Sequence, residues 1–302
     1  MTKSKGKLGT LLLSLLVMAL WGSLFPFIKI GYAAFSIDTS SVADILLFAA
    51  TRFTVCGAIV CGLAAFKKAP LQKPRGKSVA MITLMGVFAI VLHYACTYVG
   101  LSLTDSSKTA LLKQLGVLLY VCFAFLFFKE ESFSIGKMIG ALVGFGGIVA
   151  INAGGGTVSL GLGDILIILA SVCTVVSNVM SKRSVVGSSP LWVTGISQLT
   201  GGLILLAAGL LMGGKLPTFT WQASLVFGYI CTASIVSYVL WYYVQQSADL
   251  SGLFIIKLAE PLFACAFGAA LLGEDIFKLQ YLLAFVLISG GILLANTKKK
   301  QA

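Results

Sequence analysis

Charge is what this sequence has least of: 11% of its 302 residues are Asp, Glu, Lys or Arg, while 58% are hydrophobic. A soluble domain is about a quarter charged, so this chain has too little polar surface to clothe a fold of its size in water. A soluble globular protein is excluded, and lipid becomes the main solvent. Histidine is nearly absent too, with His93 alone. No Cys-x-x-Cys, His-x-x-x-His, Gly-x-Ser-x-Gly or Walker loop occurs, which removes common signatures of redox, zinc, hydrolytic and nucleotide-driven chemistry. Neither a cofactor nor a metal is expected. Disorder, a collagen-like chain and a disulfide scaffold are excluded by the same composition.

What is in excess is positive charge: 22 Lys plus Arg against 10 Asp plus Glu, a net +12. In a soluble protein this would suggest a nucleic-acid partner. In a chain solvated by lipid it reads as the loop charge that orients membrane helices, and no nucleic acid is expected. The seven cysteines, Cys56, Cys61, Cys96, Cys122, Cys173, Cys231 and Cys265, all lie inside apolar runs and read as small packing residues.

A helix needs about twenty apolar residues to cross the hydrocarbon. About ten runs qualify, at 8–29, 42–66, 78–100, 106–128, 135–153, 162–182, 190–212, 221–244, 250–272 and 277–296. Barrel strands are excluded because these runs lack alternation. Lys3, Lys5 and Lys7 before the first run imitate a secretory signal, but no small-residue cleavage site follows, so the run reads as an uncleaved span. With a cytoplasmic N-terminus, fifteen of the basic residues fall inside, four fall outside, and Arg52, Lys113 and Lys257 fall within spans. That bias places both termini in the cytoplasm of a multi-pass protein of the plasma or inner membrane.

The sequence also matches itself. At an offset of 144, the stretch 105–152 overlies 249–296 without a gap. The identical pairs include Lys113/Lys257, Glu130/Glu274, Asn152/Asn296 and, further back, Tyr94/Tyr238 and Tyr98/Tyr242. A weaker match at 154 pairs Ser23 with Ser177 and Lys29 with Arg183. Each copy holds five spans, an odd number, so the second enters the membrane inverted. The expected fold is an all-α integral membrane protein of two inverted five-helix repeats, 8–153 and 162–296, around a central cavity. Inverted repeats characterise secondary transporters, whose substrate site lies near mid-membrane between the repeats.

The residues carry a family resemblance as well. Trp21-Gly22-Ser23-Leu24-Phe25-Pro26-Phe27-Ile28-Lys29 resembles the first-span signature of the drug/metabolite transporter superfamily, in particular its EamA-like members. Arg52-Phe53 is similar to the second-span Arg-Phe of that family, and Glu260-Pro261 followed by Leu272-Gly273-Glu274 resembles its ninth span. The first copy departs from the pattern, with Gly116-Val117 where the family usually has proline. The resemblance implies ten helices around a cavity and transport of small metabolites, often export.

Ionisable groups inside a span by default face the bundle interior or a wet cavity. Lys113 and Lys257 read as a cationic pair for a carboxylate or phosphate, with a structural Lys257–Glu260 pair as the alternative. Arg52 either binds an anion or is locked onto neighbouring groups. Glu260 and His93 are the candidates for proton coupling. Trp21, Tyr94, Tyr98, Tyr238, Trp241 and Tyr242 could stack on a substrate or simply pack. Gln114 and Asn178 are candidate substrate contacts, and Gln198 reads as an interhelical hydrogen bonder. Tyr32, Trp192 and Trp221 near span ends fit an interfacial belt. Gly140-x-x-x-Gly144 and Gly209-x-x-x-Gly213 suit close helix contact, and Gly22, Pro26 and Pro261 are candidate hinges.

The leading function is a secondary carrier, proton-coupled or facilitative, exporting an amino acid or related metabolite by alternating access. Its partners are a small-molecule substrate and the bilayer and, in the coupled case, protons. A receptor, scaffold or channel without carrier activity is the alternative. A membrane-embedded enzyme comes last, because one histidine and one deep acid leave little catalytic material.

Overall fold

In the computed structural model, residues 2–66, 74–123, 135–154, 157–158, 160–184, 188–247, 256–257 and 259–296 are described. Apolar runs in lipid satisfy their backbone groups internally, and helices follow in the expected places. They are α1 Thr2–Ala34, α2 Val42–Phe66 and α3 Lys77–Ser102. Next come α4 Ser106–Leu112, α5 Gln114–Phe123, α6 Ile135–Asn152, α7 Leu162–Ser184 and α8 Pro190–Leu211. The last are α9 Trp221–Ser247, α10 Ala259–Leu272 and α11 Leu279–Asn296. A two-residue antiparallel pair, β1 Ala153–Gly154 with β2 Thr157–Val158, closes the end of α6 in the register Ala153↔Val158.

Among the described residues, six helices are long and apolar enough to cross a membrane: α1, α2, α3, α7, α8 and α9. The distribution of side chains agrees with lipid as the solvent. Leu12, Leu84, Leu142, Leu169, Leu211 and Leu282 are exposed, while Arg52, His93, Gln114, Gln198, Lys257 and Glu260 are buried. A water-soluble protein arranges these classes the other way round.

Two antiparallel seams hold the bundle. α2 runs along α8, and α6 along α11. Along the first seam, a Cβ on Gly195 would lie 2.7 Å from Cys61 Sγ, and one on Gly209 would lie 2.7 Å from Leu47 Cγ. The Gly140-x-x-x-Gly144 stretch does press against a partner, since a Cβ on Gly291 would meet the backbone of both. Gly209-x-x-x-Gly213 is corrected. Gly209 packs on α2, but Gly213 lies past the end of α8 with φ +79° and nothing close to it. It ends the helix in the left-handed conformation that a side chain disfavours. Between the seams, α1 packs on α9 and α10, and α3 packs on α7.

Two irregularities were not expected. α3 contains a π turn at Val87–Leu92, directly before His93. The fourth span is broken at Lys113, where Gly116 N bonds Lys113 O at 3.1 Å. An i→i+3 bond tightens the chain there, and Gly116 favours the break because glycine weakens a helix interior. The part of the span expected beyond residue 123, and residues 250–255 of the ninth, lie outside the described residues.

Candidate functional site

A central cavity of about 90 Å³ lies among α1, α2, α3, α5, α7, α9 and α10. Of the proposed substrate contacts, Trp21, Arg52, Tyr94, Lys113, Gln114, Asn178, Tyr238, Trp241, Tyr242 and Lys257 all line it, as do His93 and Glu260. Tyr98 does not line it. Of the hinge candidates, Pro26 lies within α1 and Pro261 in the first turn of α10. Gly22 lies where α1 meets α10, and a Cβ there would come within 2.7 Å of Phe263 Cβ.

Lys113 sits in the break between α4 and α5. Its Nζ is 3.4 Å from His93 Nε2 and 5.0 Å from the Phe25 ring centre. His93 is held on its other side, with Nδ1 2.9 Å from Ala170 O and 2.9 Å from Thr174 Oγ1. A carbonyl accepts only, so Nδ1 carries the proton and Nε2 offers its lone pair to the Lys113 ammonium. The packing of α3 on α7 thus sets the tautomer.

Lys257 stands in a matching turn before α10, where Glu260 N bonds Lys257 O at 3.0 Å. Its ammonium lies 5.5 Å from the Trp21 ring and 5.4 Å from the Trp241 ring, which are themselves 5.1 Å apart. Two indole faces form a cation cage. The alternative of a Lys257–Glu260 ion pair is not realised. Among the described residues the ion pair is Lys108–Asp164, at 2.9 Å.

Arg52 is wholly buried. Nε donates to Ser234 Oγ at 2.8 Å, Nη1 donates to the Tyr98 hydroxyl, and the guanidinium lies over the rings of Phe53, Tyr94 and Tyr98. Tyr98 therefore serves the cavity wall indirectly, by holding Arg52. Tyr32, expected in an interfacial belt, is 5% exposed, and its hydroxyl donates to Tyr98 O at 2.9 Å. The expectation fails because the Tyr98 carbonyl lies within reach of the Tyr32 hydroxyl on α1. Tyr94 and Tyr238 bond hydroxyl to hydroxyl at 2.7 Å.

Sequence reasoning missed Phe25, Thr97, Thr174, Ser177 and Ser181, which also line the cavity. Phe25 was within sight, one helical turn from Trp21 on the same face of α1. Thr174 and Ser181 fall at the same spacing from Asn178 and Ser177, on one face of α7.

At one end of the helices Glu274 fastens the start of α4. Its carboxylate accepts from Ser106 N at 2.9 Å, Ser107 N at 3.0 Å and Ser107 Oγ at 2.6 Å. Tyr281 donates to Asp105 nearby, and Asp164, paired with Lys108, accepts from Gly161 N at 3.0 Å. Burial pushes the Glu274 carboxyl up, but the Ser107 hydroxyl, the two backbone N–H groups and the Lys29 charge outweigh it and hold it below its usual range.

The model of a family described as the EamA-like transporter family matches residues 8–153 and 161–297. An uncharacterized transporter of Archaeoglobus fulgidus is 24% identical over 302 residues, covering 97% of this chain and 99% of its own. An uncharacterized inner membrane transporter, YedA of Escherichia coli (strain K12), is 23% identical over 285 residues, covering 92% and 88%. One solved crystal structure superposes with a TM-score of 0.66 over 95% of this chain and 96% of that one, at 20% identity, a likeness of fold.

Proposed function

The chain belongs to the EamA-like transporter family, and from that premise we propose that it is a secondary carrier exporting an amino acid or close relative across the cell membrane by alternating access. The central cavity is the substrate site. The single observation that carries this reading is that Lys113 and Lys257, equivalent in the duplicated sequence and each placed at a helix interruption, line one cavity. Interrupted helices at a repeat interface are how carriers build a substrate site in lipid.

Ten spans in two inverted repeats are part of this proposal. The helix pairing supports them: if the first five spans are matched with the second five, α1 on α9 becomes α7 on α3, and both pairs pack together. The seams α2–α8 and α6–α11 join each span to its own counterpart. The termini are assigned to the cytoplasm on the charge bias.

The candidate groups for proton coupling are at the site. Glu260 and His93 both line the cavity, and His93 Nε2 faces Lys113. The family and its relatives are transporters, which agrees with a chain that is not an enzyme.

Counterflow in proteoliposomes tests the carrier. Saturable exchange of a labelled amino acid or other small metabolite is expected, and it should collapse in a folded Lys113→Ala, Lys257→Ala double variant. Full exchange in that variant would remove the site, and uptake that never saturates would point to a channel. Substrate-driven acidification that survives Glu260→Gln and His93→Gln would remove both proton assignments.

A further inference from the structure

The charges around the cavity do not cancel. Arg52, Lys113 and Lys257 line it, while Glu260 is the sole acid among its described lining residues. Several of the aromatic groups that would welcome a cation are already engaged. Lys257 fills the cage of Trp21 and Trp241, and Arg52 covers the faces of Phe53, Tyr94 and Tyr98. At those faces a foreign cation would have to displace the protein's own. Among the polar atoms left buried and unpartnered on the lining residues, Trp21 Nε1 and Arg52 Nη2 are donors and Gln114 Oε1 is an acceptor. Buried polar groups are normally satisfied, and two spare donors suit an oxyanion.

The two halves also differ where an acid would sit. After the turns at Lys113 and Lys257, α5 and α10 present their positive N-terminal ends. α10 answers its own with Glu260 in the first turn, whereas α5 has no acid there. Position 116, which matches 260, is glycine, and a Cβ there would come within 2.8 Å of Ser171 O. The packing of α7 therefore keeps an internal carboxylate out of the first half. Room is left beside Lys113 as well. Trp21 and Trp241 match Val175 and Thr97 at the two repeat offsets, so Lys113 has no indole cage.

Resting on the carrier reading above, we infer that the substrate is a small acid bearing two negative charges, one of whose anionic groups sits against Lys113, in the half that has no counterpart of Glu260. The second anionic group reaches Lys257. Where the substrate also carries an ammonium, as an acidic amino acid does, Glu260 receives it.

Purified full-length protein is screened by thermal shift with L-aspartate, succinate and glycerol phosphate, against L-leucine and L-lysine. The same solutes are then tested by counterflow in liposomes. A ligand of the folded state raises its apparent stability. At least one acid is expected to raise Tm and to exchange, and leucine and lysine to do neither. Lys113→Gln should weaken the acid about tenfold or more, the worth of one charged hydrogen bond, and Lys113→Arg should keep most of the affinity. Succinate against glycerol phosphate separates carboxylate from phosphate. A preference for aspartate over succinate that vanishes in Glu260→Gln places the ammonium.

Stabilisation by an acid without exchange would uphold the inference and overturn the carrier. Exchange of leucine or lysine without any response to the acids would overturn the inference and leave the carrier standing. Silence in both assays overturns both. Should Lys113→Gln fail to fold, Glu260→Gln serves in its place: it removes the wall's acid, so it must not weaken succinate, and a loss of succinate binding counts against the inference.

Discussion

The hydroxyls of Tyr94 and Tyr238 meet at 2.7 Å, joining two residues that stand 144 positions apart, at the same register of the duplicated sequence. One must donate and the other accept, so a pair that is equivalent in sequence is unequal in its single shared proton. Both rings line the cavity, so the bond ties α3 to α9 across it.

That bond should appear as a coupling. Tyr94→Phe and Tyr238→Phe are each expected to cost about 1 kcal/mol, and the double variant little more than either alone. Unfolding in detergent measures the cycle. Strict additivity would mean that the two hydroxyls do not depend on each other.

Arg52 is buried with no carboxylate paired to it among the described residues, held by Ser234, Tyr98 and three ring faces. Arg52→Lys keeps the charge but gives up the planar fork and much of the stacking. A loss of roughly 1–3 kcal/mol is expected, read as a lower thermal midpoint. An unchanged midpoint would show that charge alone matters at this position.

Glu274 offers a test by pH. Its folded-state carboxyl titrates below the ordinary value, so its contribution is complete above the unfolded carboxylate range of about 4.3 and is lost as pH falls through the folded value. Glu274→Gln should cost about 1 kcal/mol at pH 7, the worth of a helix cap. The gap from wild type should close under acid. A gap of constant size down to pH 3 would contradict the ionised cap.

Much of the bundle was legible because lipid forces apolar runs into helices, and the register of Lys113 with Lys257 was legible because charged letters are rare enough to align. The break at Lys113 was not. A turn closed one residue early leaves the apolar content of the fourth span unchanged, and hydropathy reads only content. The π turn before His93 is hidden for the same reason. Tyr32 misled because a position near a span end says nothing of which carbonyl lies opposite. The surroundings of Arg52 were half legible: its burial follows from lying mid-span, but Ser234 is far along the chain and comes near only through packing.

The fastening of α4 has a consequence for motion. Glu274 on Ser106 and Ser107, Tyr281 on Asp105, and Lys108 on Asp164 all gather where α4, α7 and α11 begin. Each tie is modest, but they share one short stretch of chain. Any movement of α4 away from α7 and α11 has to break all of these ties, which makes residues 105–108 a single latch.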